Sequence, residues 1–424
     1  MGFRAAALVL SLAVAAAQAQ APADSCRDTR VSRQLESLER TVDRLSQAIL
    51  FDAKNARALL ERGVCYERLA RYEAALSDFN SAVVAEPTLA QARTDRARLF
   101  ARLGRIENAL GDYNEAVRLA PSGVDARVGR GEALAGLRRH REALADFDEA
   151  LRAEPRSLPA LLGRGSSHAT LNEVDAAMRD FDAALAIDKA FAPAYLGRGE
   201  AHARAGRQEA AVADYSAYLV LRADDAYGRF RRALAYGRLG DAARSAEDFA
   251  EAIRLEPRML SAYIERGRLL ARSGQGDRAV SDFTEAIALA PKYGPAYRFR
   301  GMALYRLGRH DAASADLALA LQLDANDLVA RNELAWLLAT SPRASVRDGK
   351  LALDLARAAA EQSGWKNPGL LDTYAAALAE SGQFPEAVKW QQGALSLPAF
   401  PADAREAAQK RLDLYKAGNP YRSN

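Results

Sequence analysis

Apolar positions along most of the chain keep the spacing of one helical face, and polar residues or a proline interrupt them at short intervals. The first clear unit predicts a helix over Ala56 to Leu69, a turn at Ala70-Arg71-Tyr72 and a second helix over Glu73 to Ala85. Pro87 ends the pattern, because proline cannot continue a helix. Pro121, Pro155, Pro257 and Pro291 stop later units, while Lys189, Ala223 and Ala325 stand where that proline is missing.

The unit recurs without a slip. Small residues fall 34 apart at Gly63, Ala97, Gly131, Gly165, Gly199, Ala233, Gly267 and Gly301. An arginine precedes each: Arg62, Arg96, Arg130, Arg164, Arg198, Arg232, Arg266 and Arg300. Sixteen residues after each arginine comes an aspartate, from Asp78 and Asp112 to Asp282 and Asp316, followed by a large apolar residue such as Phe79, Tyr113 or Leu317. In antiparallel helices the arginine and aspartate fall at one height, so each unit is expected to carry its own ion pair. If partly exposed, such a pair contributes about 0.5 kcal/mol. Gly63 is expected where the two helices cross, facing Ala75 and Phe79, with room for nothing larger than alanine.

Both ends depart from this register. Arg33 to Phe51 reads as one amphipathic helix covering the first unit, since an array needs caps over its terminal faces. After Asp327, Leu334-Ala335-Trp336 opens a further first helix, but Thr340 to Gly349 lengthens the turn before Lys350 to Gln362. Leu371 to Ser381 and Glu386 to Leu397 form another pair, with Pro385 placed where its missing N–H is harmless. A last helix is expected from Ala402 to Lys416. The chain thus divides into a leading segment with a capping helix (20–55), eight regular units (56–327), two divergent units (328–398) and a closing helix with a tail (399–424).

The 34-residue spacing, the small residue in the first helix, Ala75, Phe79, Ala82 and Pro87 together resemble the tetratricopeptide repeat. Tyr218 is a minor departure, replacing the small residue that stands at Ala82. The resemblance implies an all-α, right-handed superhelical solenoid of antiparallel helix pairs, with the first helices lining a concave groove. On that implication the groove presents Arg68, Arg98, Arg102, Arg204, Tyr227, Phe230, Arg238, Arg268, Arg272, Arg298, Met302, Tyr305, Arg306 and Trp336. Bases outnumber the groove acids Glu67, Asp125, Glu132 and Glu200, which suits an extended, acidic peptide. The lysine and asparagine pattern with which some family members clamp a terminal carboxylate is missing.

Composition adds little except at the start of the chain. The net charge of +4 is a small excess of 59 bases over 55 acids, without basic runs, and gives no case for nucleic acid. Met1-Gly2-Phe3-Arg4, the apolar run Ala5 to Ala17 and Ala17-Gln18-Ala19 make a secretory signal peptide over residues 1–19, so export to a periplasm or beyond the cell is expected. Ala21 is the second choice for the cut. Cys26 lacks the residues of a lipoprotein signal before it. In an oxidising compartment Cys26 and Cys65 could form a disulfide pinning the cap to the array, or Cys65 is simply a small buried residue.

No catalytic or cofactor motif emerges. His168 and His202 occupy equivalent places in adjacent units, but no Cys or carboxylate column completes a metal site beside them. Trp336, Trp365 and Trp390 cluster in the last quarter, and Trp365 is expected in a loop, as a contact residue or as a ring sealing it. The expected function is a non-catalytic scaffold that holds proteins or peptides in its groove, during envelope assembly, secretion or protein handling. Two other readings stay open: a recruiting or regulatory subunit of an enzyme complex, and small-ligand or glycan binding near the tryptophans.

Overall fold

The computed structural model describes residues 29–423, with side chains from residue 35 onward. The expected signal segment 1–19 and Cys26 lie outside these described residues. Among them there are 22 helices and no strand. The chain divides into two compact units, one up to Arg222 and the other from Ala223. The division falls between two regular repeats, where the unbroken 34-residue register gives no sign of it.

The first unit opens with α1 (Thr29–Phe51) and continues as five antiparallel pairs. These are α2 (Ala56–Arg68) with α3 (Tyr72–Ala85), α4 (Ala90–Arg102) with α5 (Ile106–Leu119), α6 (Val124–Gly136) with α7 (His140–Ala153), α8 (Leu158–Thr170) with α9 (Val174–Ile187), and α10 (Ala192–Arg204) with α11 (Gln208–Leu221). The second unit pairs α12 (Ala226–Arg238) with α13 (Ala242–Leu255), α14 (Leu260–Arg272) with α15 (Gly276–Leu289), and α16 (Gly294–Arg306) with α17 (His310–Leu323). It ends with α18 (Leu328–Thr340) and α19 (Gly349–Gln362), α20 (Pro368–Glu380) and α21 (Phe384–Ser396), and α22 (Arg405–Lys416). The fold is an all-α solenoid of antiparallel helix pairs.

Helix ends follow local chemistry. α20 starts at Pro368, three residues before the expected Leu371, because proline suits the first helical position and Asn367 accepts from the N–H of Gly369 and Leu370. The turn inside each regular repeat is made by one left-handed residue. Glycine holds it at Gly104, Gly206, Gly240, Gly274 and Gly308, with φ between 71° and 79°, whereas Ala70, Arg138 and Asn172 adopt it against their side chains.

Packing rests on small residues against one large apolar side chain per repeat, a ring in all but the last, which has Leu317. Phe147 lies between Gly131 of its own repeat and Gly163 of the next, and a methyl group at Gly163 would stand 2.4 Å from its Cζ. Phe181 is held likewise between Gly165 and Gly197. At Gly63 the expected tolerance of alanine is too generous: its Cβ would meet Phe79 Cε1 at 2.6 Å. Alanines line the same layer, and Ala75, Ala82, Ala143 and Ala150 are fully buried.

Every expected Arg–Asp pair forms, and each is a two-bond fork. Arg62 donates from Nε and Nη2 to Asp78 at 2.8 and 2.8 Å, and Arg300 to Asp316 at 2.7 and 2.8 Å. The value for a partly exposed pair does not carry over, because the aspartates are buried and loss of one partner would strand the other's charge; Asp146 is 3% exposed. At Arg96, Arg130, Arg164, Arg198 and Arg300 the third guanidinium nitrogen reaches the preceding repeat, as from Arg96 to Asn80 Oδ1 at 2.9 Å and from Arg164 to Asp148 Oδ1 at 2.8 Å. Each of these arginines joins both helices of its own repeat to the second helix before it.

Candidate protein-interaction surface

Within each unit successive first helices pack on one another, as α4 does on α6 and α14 on α16, whereas successive second helices make no comparable contact. The first helices therefore crowd the inner side, where the expected groove residues sit. Their side chains divide into those already engaged and those that are open.

In the first unit Arg98 pairs with Asp95 one turn away. Arg102 reaches Glu67 Oε1 at 2.6 Å and the Tyr72 hydroxyl at 3.2 Å. Arg68 and Arg204 are exposed and, among the described residues, have no hydrogen bond or ion pair. Burial pushes the Asp95 carboxyl up despite the nearby Arg98 cation. Glu132 reaches solvent yet is walled by protein, and desolvation pushes its carboxyl up to about 7. Beside it the Tyr113 hydroxyl is raised by burial first and by the Glu132 charge second.

In the second unit the groove arginines Arg268, Arg272, Arg298 and Arg306 do not act alike. Arg268 Nη1 donates to Glu265 at 2.8 Å, and its guanidinium lies 5.3 Å from the Phe299 ring centre. Arg298 Nε donates to Asp327 at 2.9 Å and lies 4.5 Å from the same ring. These two are neutralised and held on Phe299. Arg272 and Arg306, joined by Arg238, are exposed and without a hydrogen bond or ion pair among the described residues. They occupy one column, 34 residues apart, at the last turns of α12, α14 and α16.

The aromatic groove residues are largely structural. Phe230 packs on Phe249 at 5.8 Å between ring centres, and Tyr227 lies under Arg231 at 5.7 Å. Met302 and Tyr305 pack on the core around Leu304 and Leu334. Trp336 Nε1 donates to the Tyr305 hydroxyl at 3.0 Å, and its ring lies 5.3 Å from the Arg411 guanidinium. Trp365 does not project as a loop contact; it stacks on Trp390 at 4.7 Å, edge-on to Tyr374. All three tryptophans are half-buried, and each has a protein ring or guanidinium against it.

Two of the histidines lie beside one carboxylate each: His168 Nδ1 is 2.6 Å from Glu173 Oε2, and His202 Nε2 is 3.8 Å from Asp214 Oδ2. Among the described residues no group of three metal-ligating side chains gathers. None of their helices is long and apolar enough to cross a membrane. The closing segment, expected only as a tail, is docked: Tyr421, Arg422 and Ser423 fold onto α18 and α20.

The sequence profile described as tetratricopeptide repeat matches six stretches of the chain: residues 35–90, 94–157, 133–193, 162–226, 230–294 and 264–327. No curated protein matches it. Among solved structures, a tetratricopeptide repeat protein from Parabacteroides merdae is similar at 20% identity, over 59% of this chain and 98% of its own, with a TM-score of 0.48. Another from Thermus thermophilus is 29% identical over 42% of this chain and 98% of its own, with a TM-score of 0.38. Yeast Tom70 is 15% identical over 86% of this chain and 96% of its own, with a TM-score of 0.39.

Proposed function

Since the chain belongs to the tetratricopeptide repeat family, we propose that it is a non-catalytic scaffold that binds extended, acidic segments of other proteins along its first helices. The observation that carries this reading is the open column Arg238, Arg272 and Arg306. Nearby arginines are consumed by Glu265 and Asp327, yet these three remain exposed at a repeated spacing. Three cations on one strip, with amphipathic rings and Met302 nearby, suit alternating carboxylates of an extended chain.

The apolar run after Arg4 and the Ala17-Gln18-Ala19 exit support work outside the cytoplasm, in envelope assembly, secretion or protein handling. In that setting Cys65, which is buried in α2, has Cys26 as its one candidate disulfide partner in the sequence. Two free thiols in the exported protein would remove the bridge from the account.

The binding reading is tested with two labelled peptides of equal length, one rich in Asp and Glu with interspersed Leu and Phe, the other with Lys and Arg in place of the acids. The acidic peptide binds saturably and weakens with added salt, and the basic one does not bind. Equal binding of both would overturn it.

A further inference from the structure

The end of α18 differs from every regular first helix. In α4 the last carbonyls are taken up by the turn itself, with Gly104 N–H on Ala101 O at 3.0 Å and Arg105 N–H on Phe100 O at 2.8 Å. α18 instead leaves through Ser341 in extended conformation, φ −54° and ψ 134°, into the lengthened turn 341–348. The carbonyls of Ala339 and Thr340 are thereby left for another partner, and a helix end needs one.

That partner comes from the far end of the chain. After α22, Gly418 turns left-handed at φ +73°, and Asn419 N–H closes the helix on Leu414 O at 2.9 Å. Pro420 cannot extend the helix, and the chain runs back across α18 with no helix or strand of its own. Ser423 N–H donates to Thr340 O at 2.8 Å, and Ser423 Oγ donates to the same oxygen at 3.1 Å. Arg422 Nη1 lies 2.6 Å from Glu380 Oε2, a contact ion pair without an aligned hydrogen bond. The other oxygen of Glu380 accepts from Arg347 Nε at 3.0 Å, which fixes the carboxylate. The Tyr421 ring lies 5.9 Å from Trp336, and the Arg411 guanidinium covers both rings, itself locked by two bonds to Asp372 at 3.0 and 2.6 Å.

A main-chain bond combined with an aromatic seat and a fixed counter-charge gives the elements of extended-peptide recognition. Thr340 stands one 34-residue step after Arg306, and Trp336 one step after Met302, so this seat continues the inner surface described above. We propose that the ends of α18 and α20 form a peptide-binding subsite whose resident occupant is the chain's own segment Pro420–Ser423. Once vacated, the subsite accepts in trans an extended segment of the same aromatic–basic–small order. The tethered occupant is present at an effective concentration far above that of a free peptide, so it closes the subsite until displaced. The inference rests on the first helices being the binding side, but not on the arginine column.

The probe is a labelled synthetic peptide, Ala-Gly-Asn-Pro-Tyr-Arg-Ser-Asn, copying residues 417–424. It is titrated into the full chain, into a chain stopped after Ala417, and into the full-length Tyr421→Ala/Arg422→Glu variant. Both altered proteins bind it saturably, the unaltered chain binds it at least about tenfold more weakly, and Glu380→Lys in the stopped chain abolishes binding. A folded variant that fails to bind the peptide, or an unaltered chain that binds it equally well, would overturn the proposal and make the segment a structural latch only. The full-length variant carries the test if the shortened chain does not fold. Since Arg272 and Arg306 are untouched throughout, failure here is distinguishable from failure of the acidic-peptide reading.

Discussion

Arg266 donates from Nε and Nη2 to the two carboxylate oxygens of Asp282 at 2.9 and 2.7 Å, and the aspartate is 5% exposed. The two partners are not equally replaceable. Without Arg266, Asp282 would be a buried carboxylate with no cation within ion-pair reach among the described residues, whereas a lone Arg266 can turn its partly exposed guanidinium to water.

Arg266→Ala should therefore destabilise the second unit by about 3–5 kcal/mol, and Asp282→Ala by clearly less. The double replacement Arg266→Met/Asp282→Leu should recover most of the loss, because it strands no charge. Hydrogen exchange of α14 and α15 reads this locally, which a single global transition of a repeat array would not. Equal costs for both single variants would contradict the account.

Glycines at two kinds of site should respond in opposite ways. Gly163→Ala places a methyl 2.4 Å from Phe147 Cζ and should cost about 1–3 kcal/mol. Gly111 in α5 has nothing within 4 Å of its added Cβ, so Gly111→Ala should stabilise by about 0.5–1 kcal/mol. Thermal unfolding of the two variants checks the sign of each.

The sequence disclosed those features that repeat and hid those that occur once. The column of Gly63 and its equivalents and the Arg62–Asp78 ladder were legible because eight copies reinforce each position, and the helix-stopping proline because five of the eight units keep it. Gly129, Gly163 and Gly197 were overlooked because acidic, basic or aromatic residues fill that place in other repeats. Periodicity also assigns Arg268, Arg272, Arg298 and Arg306 to one face without telling which is spent. Glu265 one turn before Arg268 was a readable signal of an internal pair, whereas Asp327 lies 29 residues from Arg298 and becomes its partner only through the fold. The closing segment has no periodicity at all. Its only clue was Gly418-Asn419-Pro420, which says where a helix ends and nothing about where the chain goes next.

Glu132 gives a pH dependence of defined sign. Its carboxyl is raised from 4.5 to about 7 by desolvation, so the folded protein binds this proton more tightly than the unfolded chain. The stability that this group contributes is complete below about pH 4.5 and is lost as pH rises through 7. Glu132→Gln should thus leave stability unchanged at pH 4 and raise it at pH 8. The gain stays small because the residue is partly exposed and solvent screens its charge. Melting temperatures at the two pH values decide it, and a larger gain at pH 4 would contradict the assignment.

The most direct test of the central claim is the affinity of the full-length Arg272→Glu/Arg306→Glu protein for the acidic extended peptide, measured beside the unaltered protein at equal salt. Both positions are exposed and unpaired among the described residues, so the helices should survive with a change under about 0.5 kcal/mol. Like charges would then face each other across the contact, and binding should be abolished. A folded double variant that binds the acidic peptide at the unaltered affinity would show that the arginine column on the first helices is not the binding surface.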